Sequence, residues 1–325
     1  MLKSLYFAPL QSYTTVFYRM AFSSQIGGVD KYFTPFFEKG HKRVYQPMLE
    51  PELNAAYNSS MQVIPQVLTD SSEFLIDFSS DVKKLGYNEI NLNMGCPYSP
   101  VVKKGLGGGL LSKPEKVDEL LDAFFSSREH GKLSVKMRLG ISDSDEWEPI
   151  INVLNKYPLE EIIVHPRTVK QQYKGTPDWE MFGHIVEQSK IPLVGNGDML
   201  NVEVFKGLQA QFPSINSWMI GRGILTNPLL PLLIRGEKFT SIEFKNRCKL
   251  FYNQFRSVVE LEVHDVNVKR NLYNSFFFYL SDAFENGARI ERKLSKAVIT
   301  DKYALLVYEF FNLSVNRHVV IDLCD

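Results

Sequence analysis

The sequence predicts an α/β fold, a (β/α)8 TIM barrel with a C-terminal helical domain. Three observations support it: short apolar runs alternate with segments of helical spacing, eight such runs precede residue 240, and the strand pattern then stops. Parallel strands covered by helices have this continuous apolar character. Eight βα units in about 235 residues match the usual barrel size of about 250 residues. A doubly wound open sheet is the alternative, because periodicity alone does not show closure.

The eight predicted strands are apolar, often β-branched runs that end near Gly, Pro, Asn or a charged residue. They are SLYFAPL (4–10), KYFTPF (31–36), MQVIPQVL (61–68), EINLNMG (89–95), LSVKMRLG (133–140), EIIVHPR (161–167), IPLVGNG (191–197) and SWMIGRG (217–223). Between them, PEKVDELLDAFFSS (114–127) and DWEMFGHIVEQS (178–189) have the apolar spacing of amphipathic helices.

A second domain is predicted after the last strand. The segments KNRCKLFYNQFRSVVELE (245–262) and VKRNLYNSFFFYLSDAF (268–284) carry apolar residues at helical spacing, and the basic stretch ARIERKLSK (288–296) follows them. We therefore divide the chain into a catalytic barrel domain, 1–239, and a helical domain, 240–325.

Composition narrows the class of protein. Of the 325 residues, 44% are hydrophobic and 23% are charged, which excludes intrinsic disorder. Three cysteines are too few for a disulfide framework, and no metal-binding spacing such as HExxH or CxxC occurs, so we expect no metal. Because the sequence shows neither a signal peptide nor an apolar stretch of about 18 residues, we expect a cytoplasmic protein that does not span a membrane.

Polar and ionisable side chains stand at the ends of the last five predicted strands. They are Asn91, Asn93, Cys96, Lys136, Arg138, His165, Arg167, Asn196, Asp198 and Arg222. Since the active site of a TIM barrel lies at the carboxyl ends of its strands, we expect these side chains to converge on one rim. An isolated histidine is more often a hydrogen-bonded rim residue than a catalytic one. A functional role for His165 is favoured only because Lys136, Arg167 and Asn93 are predicted at the same rim.

The last two strand ends have the features of a phosphate site. VGNGD and IGRG place Gly195, Gly197, Gly221 and Gly223 where backbone N–H groups can approach an anion, and Arg222 can add a charge-assisted contact. The alternative is that these glycines only form tight turns.

Cys96 lies directly after the fourth strand and before the glycine-rich segment 105–109. A thiol with an ordinary pKa of about 8.5 is mostly protonated at neutral pH and can act as a proton donor. The glycines would allow this segment to close over a substrate. Inert packing is the alternative for any lone cysteine, and Cys248 and Cys324 are interpreted in that way. A dinucleotide fingerprint in 105–109 is disfavoured because its spacing is wrong.

These motifs resemble those of the tRNA-dihydrouridine synthases, in order and through most of the barrel. The matching segments are APLQ (8–11), Gln66 in the third strand, NLNMGCP (91–97) with GLGGGLL (105–111), VKMRLG (135–140), VHPRT (164–168), VGNGD (194–198) and MIGRG (219–223). The helical segment resembles the family's tRNA-binding domain more loosely.

The resemblance implies an FMN-dependent oxidoreductase that reduces uridine in tRNA to 5,6-dihydrouridine with NADPH. Reduced FMN would deliver hydride to C6, and Cys96 would protonate C5. Asn93 and Arg167 would contact the substrate. The implied cofactor-binding residues are Pro9, Leu10, Gln66, Lys136, His165, Asn196, Gly197, Asp198, Gly221 and Arg222. The resemblance further implies a tRNA partner, a tRNA-binding domain at 240–325 and a monomer.

Two alternatives remain open. One is an FMN-dependent TIM-barrel oxidoreductase that acts on a free small molecule, and the other is a non-catalytic RNA-binding protein. The equal numbers of basic and acidic residues, 37 each, restrict any RNA surface to local patches. The candidates are Lys103, Lys104, Lys170, Lys174, Lys269, Arg270, Arg289, Arg292, Lys293 and Lys296.

Overall fold

Ten β-strands form one sheet in the computed structural model, which describes residues 2–38, 51–128 and 130–324. The strands are β1 (Ser4–Phe7), β2 (Lys31–Phe33), β3 (Phe37–Glu38), β4 (Val63–Ile64), β5 (Gln66–Leu68), β6 (Glu89–Met94), β7 (Lys132–Arg138), β8 (Ile162–His165), β9 (Leu193–Asn196) and β10 (Ser217–Ile220). Their order is β3-β5-β6-β7-β8-β9-β10-β1-β2-β4, and the registered neighbours run parallel.

Pro65 explains how this sheet closes. It separates β4, which pairs with β2, from β5, which pairs with β6 on the other side of the sheet. Because proline has no N–H, the ladder is interrupted there, although the carbonyl of Pro65 still accepts from the Asn91 N–H at 2.9 Å. β4 and β5, only one residue apart in the chain, thus pair with strands from opposite sides of the sheet. The predicted barrel is confirmed, the open sheet is excluded, and the predicted third strand is two short strands.

The described residues also contain fourteen α-helices. They are α1 (Val16–Gln25), α2 (Ala55–Asn58), α3 (Ser72–Lys84), α4 (Ser99–Lys103), α5 (Pro114–Ser126), α6 (Glu148–Leu154), α7 (Trp179–Gln188), α8 (Val202–Gln211), α9 (Arg222–Thr226), α10 (Leu230–Ile234), α11 (Ser241–Glu262), α12 (Val266–Leu280), α13 (Gly287–Leu294) and α14 (Asp301–Asn312). The helices predicted from 114, 178, 245 and 268 are confirmed as α5, α7, α11 and α12.

Local sequence defines the helix ends. Ser71 caps α3 by accepting from the Phe74 N–H, and Asp178 caps α7 by accepting from the Met181 N–H. Thr240 and Glu243 form a capping box at the start of α11. Each such cap satisfies an otherwise unpaired backbone N–H and stabilises its helix by about 1 kcal/mol.

The chain folds into two compact units. One comprises Met1–Pro9, Lys31–Asp198 and Phe212–Met219, and the other comprises Leu10–Asp30, Met199–Gln211 and Ile220–Asp325. The second unit therefore includes more of the chain than the predicted domain 240–325. Its core is aromatic: the rings of Tyr18, Phe251, Phe255 and Phe276 contact one another at centroid distances of 4.9 to 6.2 Å.

A buried ionic cluster lies where the parallel strands begin. Lys31 contacts Glu161 at 3.1 Å and Glu89 at 3.5 Å, and Tyr6 donates to Glu161 at 2.8 Å. Burial alone would lower the pKa of Lys31, but the two carboxylates outweigh it and the net shift is upward. Burial also raises the pKa of Tyr6, to about 12. The cluster satisfies charges that could not otherwise be buried at this end of the barrel.

Replacing Lys31 should therefore destabilise the first unit. In Lys31→Met, two buried carboxylates lose their counter-ion, and we expect the free energy of unfolding to fall by about 3 kcal/mol. Lys116→Met, which breaks the exposed pair with Glu119, is the matched control and should cost less than about 1 kcal/mol. Urea denaturation of both variants measures the difference, and equal losses would contradict the structural role of the cluster.

Candidate active site

The register of β6, β7 and β8 brings the predicted residues together. Asn93 lies opposite Lys136, and Arg138 lies opposite His165. Because side chains alternate between the two faces of a strand, Asn91 and Asn93 share one face of β6. On β7 the same alternation places Lys136 and Arg138 on one face. The predicted convergence at the carboxyl ends of neighbouring strands is therefore present for these residues.

A ladder of buried polar side chains connects three of the strands. Asn93 Nδ2 donates to Gln66 Oε1 at 2.8 Å, and Gln66 Nε2 donates to Asn91 Oδ1 at 2.8 Å. Asn91 Nδ2 then donates to Ser134 Oγ at 3.0 Å, and that hydroxyl donates to the carbonyl of Ile90 at 3.3 Å. The ladder holds Gln66 and Asn93 in fixed orientations. One N–H and one lone pair of the Gln66 amide remain without a partner among the described residues.

The position of Cys96 follows from that of Asn93. Asn93 Oδ1 accepts from the backbone N–H groups of Gly95 at 3.0 Å and Cys96 at 2.9 Å. Asparagine favours such turns because its short side chain can hydrogen-bond nearby backbone. The Cys96 carbonyl accepts from the Gly108 N–H at 3.0 Å, so both backbone groups of Cys96 are held.

The environment of Cys96 favours a protonated thiol. Its side chain is half-buried and packs against the apolar cluster of Leu68, Val101 and Leu106. Burial raises the pKa of the Cys96 thiol above its ordinary value, while the Tyr98 backbone N–H and the Arg138 charge oppose this more weakly. At neutral pH the group is therefore a proton donor rather than a thiolate nucleophile.

Close packing explains why glycines occupy the segment 107–109. Gly107 to Ser112 form a 3-10 helix in which all three glycines are buried. A Cβ atom would lie 2.9 Å from Cys96 Cβ at Gly107 and 2.4 Å from Val169 at Gly108. Close packing against Cys96 and Val169 thus accounts for these glycines, and closure of the segment over a substrate stays a prediction.

Lys136 is a cation without a counter-ion in its unit. No hydrogen bond or ion pair to its ammonium is formed within residues 2–38, 51–128 and 130–324, and the side chain is only half-buried. Desolvation by burial, and after it the charge of Arg138, lowers the pKa of Lys136 to about 7. An anionic or electron-rich ligand beside such a lysine would stabilise its charged form.

Two arginines join the strand ends. Arg138 donates from Nε to the carbonyl of Gly95 at 3.0 Å and from Nη1 to those of Thr168 and Gln172 at 2.9 and 2.7 Å. Arg167 is fully buried and forms a bidentate pair with Asp198. Its Nη1 also lies 3.1 Å from Nε2 of His165.

The remaining predicted cofactor residues divide between the units. Asn196 is buried and donates to the Met219 carbonyl at 2.8 Å, and Gly197 packs against Trp179, whose ring would lie 2.6 Å from a Cβ. Pro9 also belongs to the first unit.

Three predicted cofactor residues belong to the second unit. The Leu10 N–H donates to Thr14 Oγ1 at 2.9 Å, and Gly221 precedes α9, which begins at Arg222. A Cβ at Gly223 would lie 2.2 Å from the Met199 carbonyl oxygen, so packing accounts for this glycine as well.

Two structural contributors were given no role by the sequence analysis, which placed Arg138 only at the rim and did not name Ser134. Ser134 terminates the amide ladder, and Arg138 connects the loops that follow β6 and β8. Both follow the alternation S-x-K-x-R along β7, which places Ser134, Lys136 and Arg138 on one face. That pattern could have indicated them.

The basic residues predicted to contact RNA differ in how far they are already paired. Arg289, Arg292, Lys293 and Lys296 are exposed at positions i, i+3, i+4 and i+7 on and just beyond α13, while Ile290 and Leu294 are buried. Several candidates have protein partners: Lys293 lies 3.8 Å from Glu309, Lys104 pairs with Glu38, Lys269 pairs with Glu260, and Arg270 donates to the Ser295 carbonyl. The α13 face is the most regular basic surface among the candidates.

No helix within residues 2–38, 51–128 and 130–324 is long and apolar enough to cross a membrane. No cluster of three or more His, Cys, Asp or Glu side chains in these parts of the chain has the geometry to hold a metal ion.

Comparisons with known proteins agree on one family. The family described as dihydrouridine synthase (Dus) matches residues 7–302. The chain is 29% identical over 228 residues to a "Probable tRNA-dihydrouridine synthase" of Staphylococcus epidermidis, covering 68% of each chain. It is also 29% identical over 230 residues to "Probable tRNA-dihydrouridine synthase 2" of Bacillus subtilis, covering 68% of this chain and 69% of that one. A solved structure, histamine dehydrogenase from Rhizobium sp. 4-9, shares the fold with a TM-score of 0.57 at 12% identity, covering 78% of this chain and 49% of that one.

The thiol of Cys96 should show its raised pKa in alkylation kinetics. Iodoacetamide reacts with the thiolate, so the rate at Cys96 should keep rising with pH and level off above the ordinary cysteine value of about 8.5. Mass spectrometry of the labelled peptide measures the rate, with the exposed Cys324 as an internal reference for reagent consumption. A plateau at or below the ordinary value would show that Cys96 is a thiolate at neutral pH.

Proposed function

Because the chain belongs to the dihydrouridine synthase family, we propose that it reduces uridine in tRNA to 5,6-dihydrouridine, with FMN as its flavin and NADPH as the reductant. The observation that carries this proposal is the position of Cys96, whose backbone N–H donates to Asn93 on the strand next to Lys136. Burial raises the pKa of its thiol, which favours the protonated form. Reduction of a carbon–carbon double bond requires one hydride and one proton, and this arrangement supplies the proton donor.

The chemistry of the rim fits a flavin mononucleotide. Lys136 has no ion-pair partner among the described residues, and a reduced flavin or a phosphate beside it would stabilise its charged form. Gln66 retains one N–H donor and one lone pair, which suit the mixed donors and acceptors of a flavin edge. The resemblance adds Pro9, Leu10, His165, Asn196, Gly197, Asp198, Gly221 and Arg222 to the residues that would hold it.

FMN held by these residues would supply, in its reduced form, the hydride for C6 of the uracil ring, with NADPH as the source of electrons. The Sγ–H of Cys96 gives its proton to C5, so that the C5–C6 double bond becomes a single bond and Cys96 is left as a thiolate. Solvent then restores the thiol, since burial disfavours the thiolate. Asn93 holds the Cys96 backbone through two hydrogen bonds, which keeps the donor in place for this transfer.

Local basic surfaces support tRNA as the substrate. The α13 face carries four exposed basic residues. In the first unit, Lys103, Lys104 and Lys113 line a cleft of about 630 Å³. A handful of phosphate contacts from such patches is compatible with a net charge of zero. The target uridine must leave its stack to reach the site, which costs a few kcal/mol and is easiest in a loop. The cytoplasmic location and the monomeric state stay predictions.

The Cys96→Ala variant tests the reaction. We expect it to keep the flavin absorbance and the reduction of the flavin by NADPH, but to form dihydrouridine about 10²- to 10⁴-fold more slowly, because the proton donor is lost. The substrate is tRNA taken from cells that lack this protein, and mass spectrometry measures the dihydrouridine that each variant forms in it. Cys324→Ala, which removes an exposed thiol, is the matched control and should react at the rate of the unmodified enzyme.

Three outcomes would contradict this proposal. Full activity of Cys96→Ala would remove the thiol from the reaction. If the unmodified enzyme left tRNA unchanged while reducing free uridine or an enone, the enzyme would be a flavin oxidoreductase for free small molecules. A preparation that contains no flavin and takes up no FMN would contradict both functions.

The titration of Lys136 tests the cofactor fit. Without FMN, the ammonium should titrate near 7, far below the ordinary lysine value of about 10.4, because burial disfavours its charged form. An anionic group bound beside it should raise this pKa. NMR of 13C-methylated lysines measures both midpoints, and Lys136→Met assigns the signal. A midpoint that is unaffected by FMN would place the flavin away from Lys136.

A further inference from the structure

We propose that Arg167 and Asp198 are positioning residues that hold His165 as a neutral imidazole with its proton on Nδ1. This assignment departs from the expectation that Arg167 contacts the substrate and Asp198 contacts the cofactor. Its consequence for turnover rests on the proposed function, whereas the protonation state of the ring is a property of the protein itself.

The donors of Arg167 are all occupied by protein atoms. Its Nη1 donates to Asp198 Oδ1 at 3.1 Å and to His165 Nε2 at 3.1 Å. Its Nη2 donates to the Gly175 carbonyl at 2.6 Å and to Asp198 Oδ2. Its Nε donates to the Lys174 carbonyl at 3.3 Å. A guanidinium has five N–H groups, so none remains for a substrate, and the side chain is completely buried.

The contact with Arg167 determines which nitrogen of His165 carries the proton. A guanidinium can only donate, so Nε2 of His165 must be the acceptor. A neutral imidazole has one N–H, which must then be on Nδ1. Protonation of Nε2 would direct its N–H against an N–H of Arg167 and place two cations in contact inside the protein.

Asp198 fixes the geometry of this contact. Its two oxygens bind the guanidinium in a bidentate arrangement, which restricts rotation of the planar group and neutralises its buried charge. Arg167 follows β8 and Asp198 follows β9, so the pair also connects two neighbouring strand ends. The carboxylate is 28% exposed, whereas Arg167 is not exposed. Asp198 therefore acts on His165 through Arg167.

This arrangement separates the roles of the two groups that could move a proton. An imidazole held neutral by Arg167 is a hydrogen-bond donor through Nδ1 and not an imidazolium acid. Within the proposed reaction, the thiol of Cys96 is then the proton source, and His165 orients a ligand without giving up its proton.

Nitrogen NMR of 15N-histidine-labelled protein tests the assignment directly. In long-range 1H–15N spectra, the protonated and unprotonated ring nitrogens give distinct shifts and coupling patterns, and His165→Gln identifies the signal among the six histidines. We expect the Nδ1–H form in the unmodified protein without substrate. An Nε2–H form or an imidazolium at neutral pH would overturn the proposal, whatever the enzyme catalyses.

Variants of the pair separate positioning from general stability. Arg167→Met should lose the pure Nδ1–H pattern, and Arg167→Lys, which keeps one donor, should retain it in part. Glu161→Gln is the matched control, because Glu161 precedes the same strand at its opposite end and belongs to the ionic cluster. It should lower stability without changing the His165 signal. A pure Nδ1–H pattern in Arg167→Met would overturn the proposal.

Kinetics of Asp198→Asn give the second readout. Since Asp198 acts through Arg167 and His165, kcat should fall by about 10²-fold, while KM for tRNA should change little. A higher KM at unchanged kcat would instead assign Asp198 to ligand binding and contradict the positioning role. An unmodified enzyme that shows the Nδ1–H form but produces no dihydrouridine would refute the proposed function and leave the assignment of His165 intact.

Discussion

The ladder of buried amides is the interaction on which the geometry of the site depends. It runs from Asn93 through Gln66 and Asn91 to Ser134, and each step is 2.8 to 3.0 Å long. A buried amide without partners costs about 1 to 3 kcal/mol, so a partly satisfied ladder would be worse than apolar packing. The members therefore constrain one another, and only one orientation of Asn93 satisfies them all.

The orientation of Asn93 in turn fixes the backbone of Cys96. The free oxygen of Asn93 is aimed at the N–H groups of Gly95 and Cys96, and the carbonyl of Gly95 receives the Nε of Arg138. Arg138 in turn holds the loop after β8 through Thr168 and Gln172. A preorganised proton donor needs supporting contacts of this kind, since a displacement of about 1 Å can cost 10²-fold in rate. The polar interior of the barrel thus supports the site.

Sequence patterns predicted the residue types of the site but not their partners. The alternation N-x-N before Gly-Cys places Asn93 and Cys96 at a strand end. The alternations K-x-R in β7 and H-x-R after β8 likewise place polar side chains at strand ends. The ladder could not be predicted, because Gln66 and Asn91 are 25 residues apart and Asn91 and Ser134 are 43 apart, and only the register of the strands brings them together. The roles of Arg167 and Asp198 escaped prediction for the same reason. A motif shows that a cation is present, whereas only the structure shows that its donors are already used.

The net charge of zero hides a separation of charge along the barrel. Where the strands begin, Lys31 faces two carboxylates, Glu89 and Glu161. Where they end, Lys136, Arg138 and Arg167 follow one another on neighbouring strands, and Arg167 pairs with Asp198. Charges in a low-dielectric interior are poorly screened, so this arrangement makes the carboxyl end of the barrel favourable for an anion. Whole-chain charge therefore says little about the ligand. The sum over 325 residues cancels, but the few charges that the fold buries do not.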